Sequence, residues 1–414
     1  MKRHLEELQI DGLVSSSREN TTYLTDFLAV NYIYDRLNSA NESLHENFLQ
    51  TYGLHTSSGQ SILVIPLSML VALRTDSDVS CEVFTYGHPI TTRAPVPKYD
   101  TRAEEEYEKH LSKPTRNFPT PELALLCAIK EFVTGKTIGV DYSDMALSSI
   151  KKLKRESTFT MKRANALFRL LRLVKSREEI KRLRHSAEVN ERGLSQVLET
   201  AREGSSEMDL KRAYAKSVIS EDADFDSGYL ILASGTRSGS PLPRPTSVKL
   251  NKGSLLKIDV SCRVRGYFSD TGESGVVGKP SEKQLRIYNA LREVVQRAEE
   301  LAIPGVKCSE LHEKVAKLWA SYDLEVPPTG MGHGIGLEVH EFPRISKSTL
   351  NQSDIFDDLI RRSPDMVLEE GMVLNFEAPY LISGWGGLHL ERTILINNVG
   401  SEPITNQDRH LRVI

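Results

Sequence analysis

Four carboxylates in the second half of the sequence stand where strands ordinarily carry apolar groups, and one histidine stands among glycines. Asp259 interrupts the run LLKIDVSCRV, and Asp270 follows in GYFSD, with Arg265-Gly266 between them as turn chemistry. Pairing about a centre between Val264 and Arg265 sets Asp259 directly opposite Asp270 on one face. Glu377 interrupts VLNFEAPY, Glu391 interrupts LHLERTILI, and the glycine-rich stretch Ser383-Gly384-Trp385-Gly386-Gly387 supplies the turn. Reflection about Gly384 sets Glu377 opposite Glu391. Like charges facing each other at ~5 Å destabilise a sheet unless something positive binds them. His333 stands in MGHGIG, where flanking glycines permit close backbone approach to a ligand and leave the imidazole open to it. Four carboxylates and one imidazole suit two Mn²⁺, Co²⁺, Fe²⁺ or Zn²⁺ ions held by bridging carboxylates. Ions ~3.5–4 Å apart bind and deprotonate a shared water near neutral pH.

Elements must bring these residues together. From about residue 227 the pattern is strand-rich, and helices are expected at Ser281–Leu301 and Cys308–Tyr322. This half reads as an α+β domain built on an antiparallel sheet. Ahead of it a helical pattern runs from about Phe159 to Leu198, and Ser176 with Glu179 fits a capping box that starts a new helix. The first half alternates a helix at 2–9 with strands at Asp11–Ser15, Gln60–Ala72 and Thr137–Val140, which predicts a mixed α/β layer. A domain boundary falls near 156–176, giving domains 1–165 and 166–414.

The 414 residues are enough for two or three domains. With 53 basic and 56 acidic residues the net charge is −3, which gives no electrostatic case for nucleic acid. The short patch KKLKR (Lys151–Arg155) and the cluster RAEEEYEKH (Arg102–His110) read as solvated surface. No apolar stretch reaches the ~20 residues of a membrane span. The opening MKRHLEELQIDG has no apolar leader, so a soluble, cytoplasmic protein is expected. Four scattered cysteines predict neither a zinc ribbon nor disulfides. Asp222, Asp224 and Asp226 alternate as a calcium loop begins, but the glycine and glutamate such a loop needs are Ser227 and Ala233.

The order Asp259, Asp270, His333, Glu377, Glu391, in the motifs KIDV, GYFSD, GHGIGLEVHE, LEEGMVLNFEAP and LERTIL, resembles the pita-bread metallopeptidases. That family includes methionine aminopeptidases, aminopeptidase P and prolidase. GHGIGLEVHE resembles the Xaa-Pro branch, and DGLVSSSRENTTYLTDF resembles the start of a creatinase-type N-terminal domain. The resemblance implies a curved-sheet pita-bread catalytic domain after an α/β creatinase-like domain. It implies the five residues as ligands of two metals, with Asp270 and Glu391 bridging. Glu377 would be the general base, and His340 would hydrogen-bond the substrate carbonyl or oxyanion. The implied activity is hydrolysis of the bond before proline by metal-bound hydroxide, in a homodimer acting on small peptides.

Three positions depart from the family pattern. Leu242 replaces a substrate-contacting His, Thr271-Gly272-Glu273-Ser274 replaces an Ile-Thr-Arg-Thr stretch, and His389 replaces an Arg. Arg237, Arg244, His389 and Arg392 are candidates to restore missing donors. Leu242, Glu273 and His389 favour the alternative of non-peptide chemistry on the same fold, of creatinase, ectoine hydrolase or sulfonium lyase type. A catalytically silent binding homologue is the third reading, and retention of all five ligand types opposes it.

Overall fold

A computed structural model describes residues 1–28, 50–70, 81–88, 116–221, 223–224, 228–328, 330–347, 365–406 and 410–414. The cluster Arg102–His110 and the residues Asp222 and Asp226 lie outside the described residues. These fall into two compact units, one spanning Met1–Leu171 and the other beginning at Arg172.

The first unit is a mixed sheet with helices. Its strands are β1 (Gly12–Ser15), β2 (Tyr52–Thr56), β3 (Ser61–Pro66), β4 (Glu82–Tyr86), β5 (Asn117–Phe118), β6 (Thr137–Val140) and β7 (Thr160–Arg163). They are ordered β5-β4-β3-β2-β1-β6-β7. β1 to β3 are antiparallel neighbours, and the outer pairs are parallel. Apolar strand residues such as Val14, Leu54, Val64 and Phe84 pack with Ala124, Leu125, Ala128 and Ile129 of the helix Pro121–Phe132. Thr120 caps that helix and Pro121 occupies its first turn, where no amide donor is needed. Asp141, fully buried, gathers Ser17, Asn20 and Asn165 through hydrogen bonds. Burial raises its pKa, but donors from Asn20, Ser143 and Ser17 outweigh this and hold the carboxyl below its ordinary value.

The second unit carries the chemistry. Its first sheet contains β8 (Leu230–Ser234), β9 (Leu255–Val264), β10 (Tyr267–Val276) and the short β18 (Arg412–Val413), ordered β18-β10-β9-β8. A second contains β11 (Gly332–Gly334), β12 (Glu341–Arg344), β13 (Val373–Glu377), β16 (Glu391–Ile396) and β17 (Ser401–Pro403), ordered β12-β11-β13-β16-β17. A small hairpin, β14 (Tyr380–Ile382) with β15 (Gly386–Leu388), completes the turn between β13 and β16. The helix Arg177–Thr200 begins with the expected Ser176–Glu179 capping box. Its residues Val189, Leu194 and Val197 pack on Leu256, Ile258 and Val260 of β9. The helices Glu282–Leu301 and Cys308–Ala320 place Leu291, Val295, Leu311 and Trp319 against Leu374, Phe376, Ile394 and Ile396. Trp385 packs against this core, with the Lys283 ammonium 4.9 Å from its ring centroid. All four cysteines are free thiols, and among the described residues no helix is long and apolar enough to cross a membrane.

Candidate metal centre

Strand alternation decides which side chains reach the site. Every position of β9 is buried. Leu256, Ile258, Val260 and Cys262 enter the helix-covered core, so Lys257, Asp259 and Ser261 face the other way. In β10 the partner of Asp259 is Gly272, and that of Asp270 is Ser261. The direct Asp259–Asp270 opposition expected from the sequence is therefore corrected by two residues of register. Arg265 (φ 48°) and Gly266 (φ 85°) form a two-residue turn with both residues left-handed, so Val264 and Tyr267 close the hairpin. Parity is preserved, and both aspartates stay on one face as diagonal neighbours. Glu377 and Glu391 are direct partners, as expected, because β13–β16 and β14–β15 share the mirror centre at Gly384.

His333 lies on β11 opposite Asn375 of β13. Its flanking glycines serve the sheet rather than a ligand. A Cβ at Gly332 would sit 2.5 Å from the Asn375 carbonyl oxygen, and one at Gly334 would sit 2.1 Å from that of Phe342. The His333 Nδ1 hydrogen-bonds the Gly334 carbonyl at 2.9 Å, so Nδ1 carries the proton and the Nε2 lone pair turns toward Asp270, 3.7 Å from Oδ2. Burial, then the neighbouring His340, pushes its pKa down to about 3. The ring is a neutral donor at physiological pH.

Four of the five predicted ligands fall in two clusters, and the fifth, Glu377, faces Glu391 across β13–β16. Ligand-capable atoms of Asp270, His333 and His340 lie within 4.8 Å of one another, and so do those of Asp259, His389 and Glu391. Burial, then the charges of Glu391 and Asp259, pushes Asp270 far above the carboxylate range. Glu391 is raised likewise by burial, Asp259 and Glu377. Glu377 is raised by burial and by Asp259, against a lowering influence of His389. Asp259 Oδ1, Asp270 Oδ2 and Glu391 Oε2 are buried with no hydrogen-bond partner among the described residues. Buried, mutually repelling carboxylates with unpartnered oxygens are costly in themselves, and cations at this point satisfy both the charge and the oxygens. The residues present thus fit a divalent metal. His340 stands at the exposed rim, its ring 4.2 Å from that of His333 in an edge-to-face arrangement.

Sequence reasoning missed some supporting residues. The Tyr229 hydroxyl donates to Asp270 Oδ1 at 2.6 Å and so fixes the other oxygen toward the site. Only its place ahead of β8 could have drawn attention to it. Lys257, on the same face as Asp259, donates to the carbonyls of Ser240 and Pro241 at 2.5 and 3.1 Å and anchors the segment before Leu242. Other residues flagged by the sequence point elsewhere. Glu273 is one residue out of phase with Gly272, faces the helix layer, and pairs with Arg412 at 2.9 Å. Arg237 pairs with Glu207, and Arg392 donates to the Thr405 carbonyl beside Glu299. His389 does reach the site, with Nε2 2.6 Å from Glu391 Oε1. Leu242 is 80% exposed.

A carboxylate-rich centre with a neutral imidazole, carried on antiparallel strands, defines a divalent-metal enzyme site. The model of Metallopeptidase family M24 matches residues 181–398, more than half of the sequence, and the chain belongs to this family. It is 30% identical over 309 residues to the Xaa-Pro dipeptidase of Pyrococcus horikoshii, covering 74% of this chain and 84% of that protein. The prolidase from Pyrococcus furiosus superposes with a TM-score of 0.69 at 23% identity, over 99% of this chain and 100% of that one. The Xaa-Pro dipeptidase from Bacillus anthracis does so with a TM-score of 0.72 at 20% identity, over 100% and 98%. These superpositions establish the fold, the α+β pita-bread architecture expected from the sequence with an α/β unit ahead of it.

Proposed function

We propose that the protein is an Xaa-Pro peptidase of prolidase or aminopeptidase P type, hydrolysing the peptide bond before proline with two divalent ions. The carrying observation is the pair of clusters Asp270–His333–His340 and Asp259–His389–Glu391, with buried oxygens unpartnered among the described residues and Glu377 facing Glu391 across β13–β16. Relatives named Xaa-Pro dipeptidase at about this similarity support the substrate class. In this reading Asp259, Asp270, His333, Glu377 and Glu391 would hold two Mn, Co, Zn or Fe ions, with Asp270 and Glu391 as the shared ligands. When bound, such ions polarise the scissile carbonyl and lower the pKa of water.

The chain's own groups do the rest. Tyr229 and the Gly334 carbonyl hold Asp270 and His333 in orientation. Glu377, its pKa raised by burial, accepts the proton of the attacking water and returns it to the leaving nitrogen. His340 donates from the rim to the carbonyl oxygen; burial, then Arg344, lowers its pKa and keeps it a neutral donor. The protein acts on small peptides as a cytoplasmic homodimer, a setting that four free thiols support.

The test is hydrolysis of Xaa-Pro and Xaa-Ala dipeptides and longer Xaa-Pro peptides after dialysis and reloading with Mn²⁺ or Co²⁺. Metal-dependent cleavage before proline is expected, with Glu377→Ala reducing it by roughly 10² or more. A metal-loaded protein that leaves every Xaa-Pro peptide intact overturns the reading. The exposed Leu242, which offers no donor, favours the second reading of a non-peptide substrate. Small amidines and zwitterions in the same assay test that alternative.

A further inference from the structure

The geometry points to His389 as a sixth ligand residue, giving its imidazole Nε2 to the cation held by Asp259 and Glu391. The inference rests on the dinuclear-metal reading and extends it to a residue outside the expected ligand set. Ligand-capable atoms of Asp259, His389 and Glu391 lie within 4.8 Å of one another, and all three residues are buried. Asp259 Oδ1 and Glu391 Oε2 are unpartnered among the described residues, so the cluster has oxygens to give an ion besides the one His389 meets. Two donor atoms on a common tetrahedral cation at ~2.1 Å each are roughly 3.4 Å apart. The 2.6 Å between His389 Nε2 and Glu391 Oε1 is shorter than that edge, so the two atoms part by roughly 0.8 Å on taking a common ion.

The surroundings are built for this ring. Gly272 lies opposite Asp259, and a Cβ there would be 2.3 Å from His389 Cδ2 and 2.9 Å from Nε2. Only a residue without a side chain leaves the ring its place. Two positions along, the Ser274 hydroxyl accepts from the His389 amide at 2.7 Å and donates to the His389 carbonyl at 2.8 Å, fastening the backbone from which the ring projects. Gly272 and Ser274 of β10 thus belong to the same device as His389, which lies in the link between β15 and β16.

The result is a centre with an imidazole on each side, His333 beside Asp270 and His389 beside Asp259. Imidazole favours zinc, iron and nickel, whereas an all-carboxylate position favours manganese. His389 therefore biases one position toward zinc-like ions. The competing use of the same atoms is a plain N–H···O bond, in which His389 positions Glu391 without touching metal.

Zinc K-edge absorption on the full chain loaded with two zinc ions counts imidazoles directly, without reference to activity. His333 and His389 together give one imidazole per zinc, and the count falls to about half in His389→Gln, whose amide still donates to Glu391. Zinc affinity by chelator competition falls at least tenfold in the same variant. A count unchanged by His389→Gln overturns the inference while leaving the metal centre standing. Protein that binds no zinc overturns both. Should His389→Gln fail to fold, His340→Gln decides: one imidazole per zinc retained there supports His389, and a fall to half assigns the second ring to His340 instead.

Discussion

Gly272 is the position at which a single methyl group tests the site most sharply. An ideal Cβ there would lie 2.3 Å from His389 Cδ2, 2.7 Å from Glu391 Cγ and 2.9 Å from His389 Nε2. Non-bonded carbons need ~3.5–4.0 Å, so ring and carboxylate stem must each retreat by about 1 Å. Neither is free to do so, because His389 is tied through its amide and carbonyl to Ser274. Overpacking of this kind costs about 1–3 kcal/mol. Displaced ligands and supports lower metal affinity by about 10–100-fold. The glycine's backbone is in an ordinary region, so the expected loss is steric rather than conformational. Gly400→Ala is the control, since a Cβ there meets nothing within 4 Å, and its stability is expected within ~0.5 kcal/mol of wild type. Urea denaturation with and without EDTA and chelator competition for Co²⁺ provide the readout. A Gly272→Ala protein that unfolds at the wild-type midpoint and binds Co²⁺ within twofold of wild type refutes the reasoning.

Glu391→Gln removes one of the repelling buried carboxylates and should bind metal poorly yet be more stable than wild type in EDTA. The folded pKa of Glu391 is raised by burial, Asp259 and Glu377, so its favourable contribution is present below the unfolded pKa of ~4.3 and lost as pH climbs toward the folded value. The EDTA gap between variant and wild type therefore widens from about pH 4.5 toward neutrality, and saturating metal inverts the order; a gap that shrinks with rising pH contradicts this. Tyr229→Phe deletes the donor to Asp270 Oδ1 and should weaken Mn²⁺ binding by about 10–100-fold in a competition titration, an unchanged constant being the contrary result. Arg412→Ala strands the buried Glu273 carboxylate and should cost about 3 kcal/mol by urea denaturation, with metal binding little altered because Glu273 faces away from the site. A large loss of metal binding by the folded Arg412→Ala protein would contradict that orientation.

The candidate site was legible because charge in a strand-like run conflicts with burial, and four such conflicts in one half demand a common partner. Glu377 and Glu391 were placed opposite each other because their hairpin has one mirror centre throughout. Asp259 and Asp270 were put two residues out of register because the mirror centre was set one residue early, before Arg265 rather than between Arg265 and Gly266. Glu273 looked like a charge added to the substrate side. Strand parity counted from Asp270 turns it to the opposite face, where Arg412 meets it. His389 was visible only as a departure from a pattern; its meaning depends on Gly272 and Ser274 of another sheet, which no local spacing reveals. Tyr229 reaches Asp270 from outside the motifs, so nothing local marked it. The α/β layer of the first unit was readable in outline, but the hub at Asp141 joins residues from three separate segments.

The central claim, that these strands cage a pair of divalent ions, is tested most directly by anomalous scattering from crystals grown with Mn²⁺. The expected result is two anomalous peaks ~3.5–4 Å apart, between the carboxylates of Asp259, Asp270, Glu377 and Glu391, one of them within bonding distance of His333 Nε2. Manganese-saturated crystals with no anomalous peak among these side chains would contradict it.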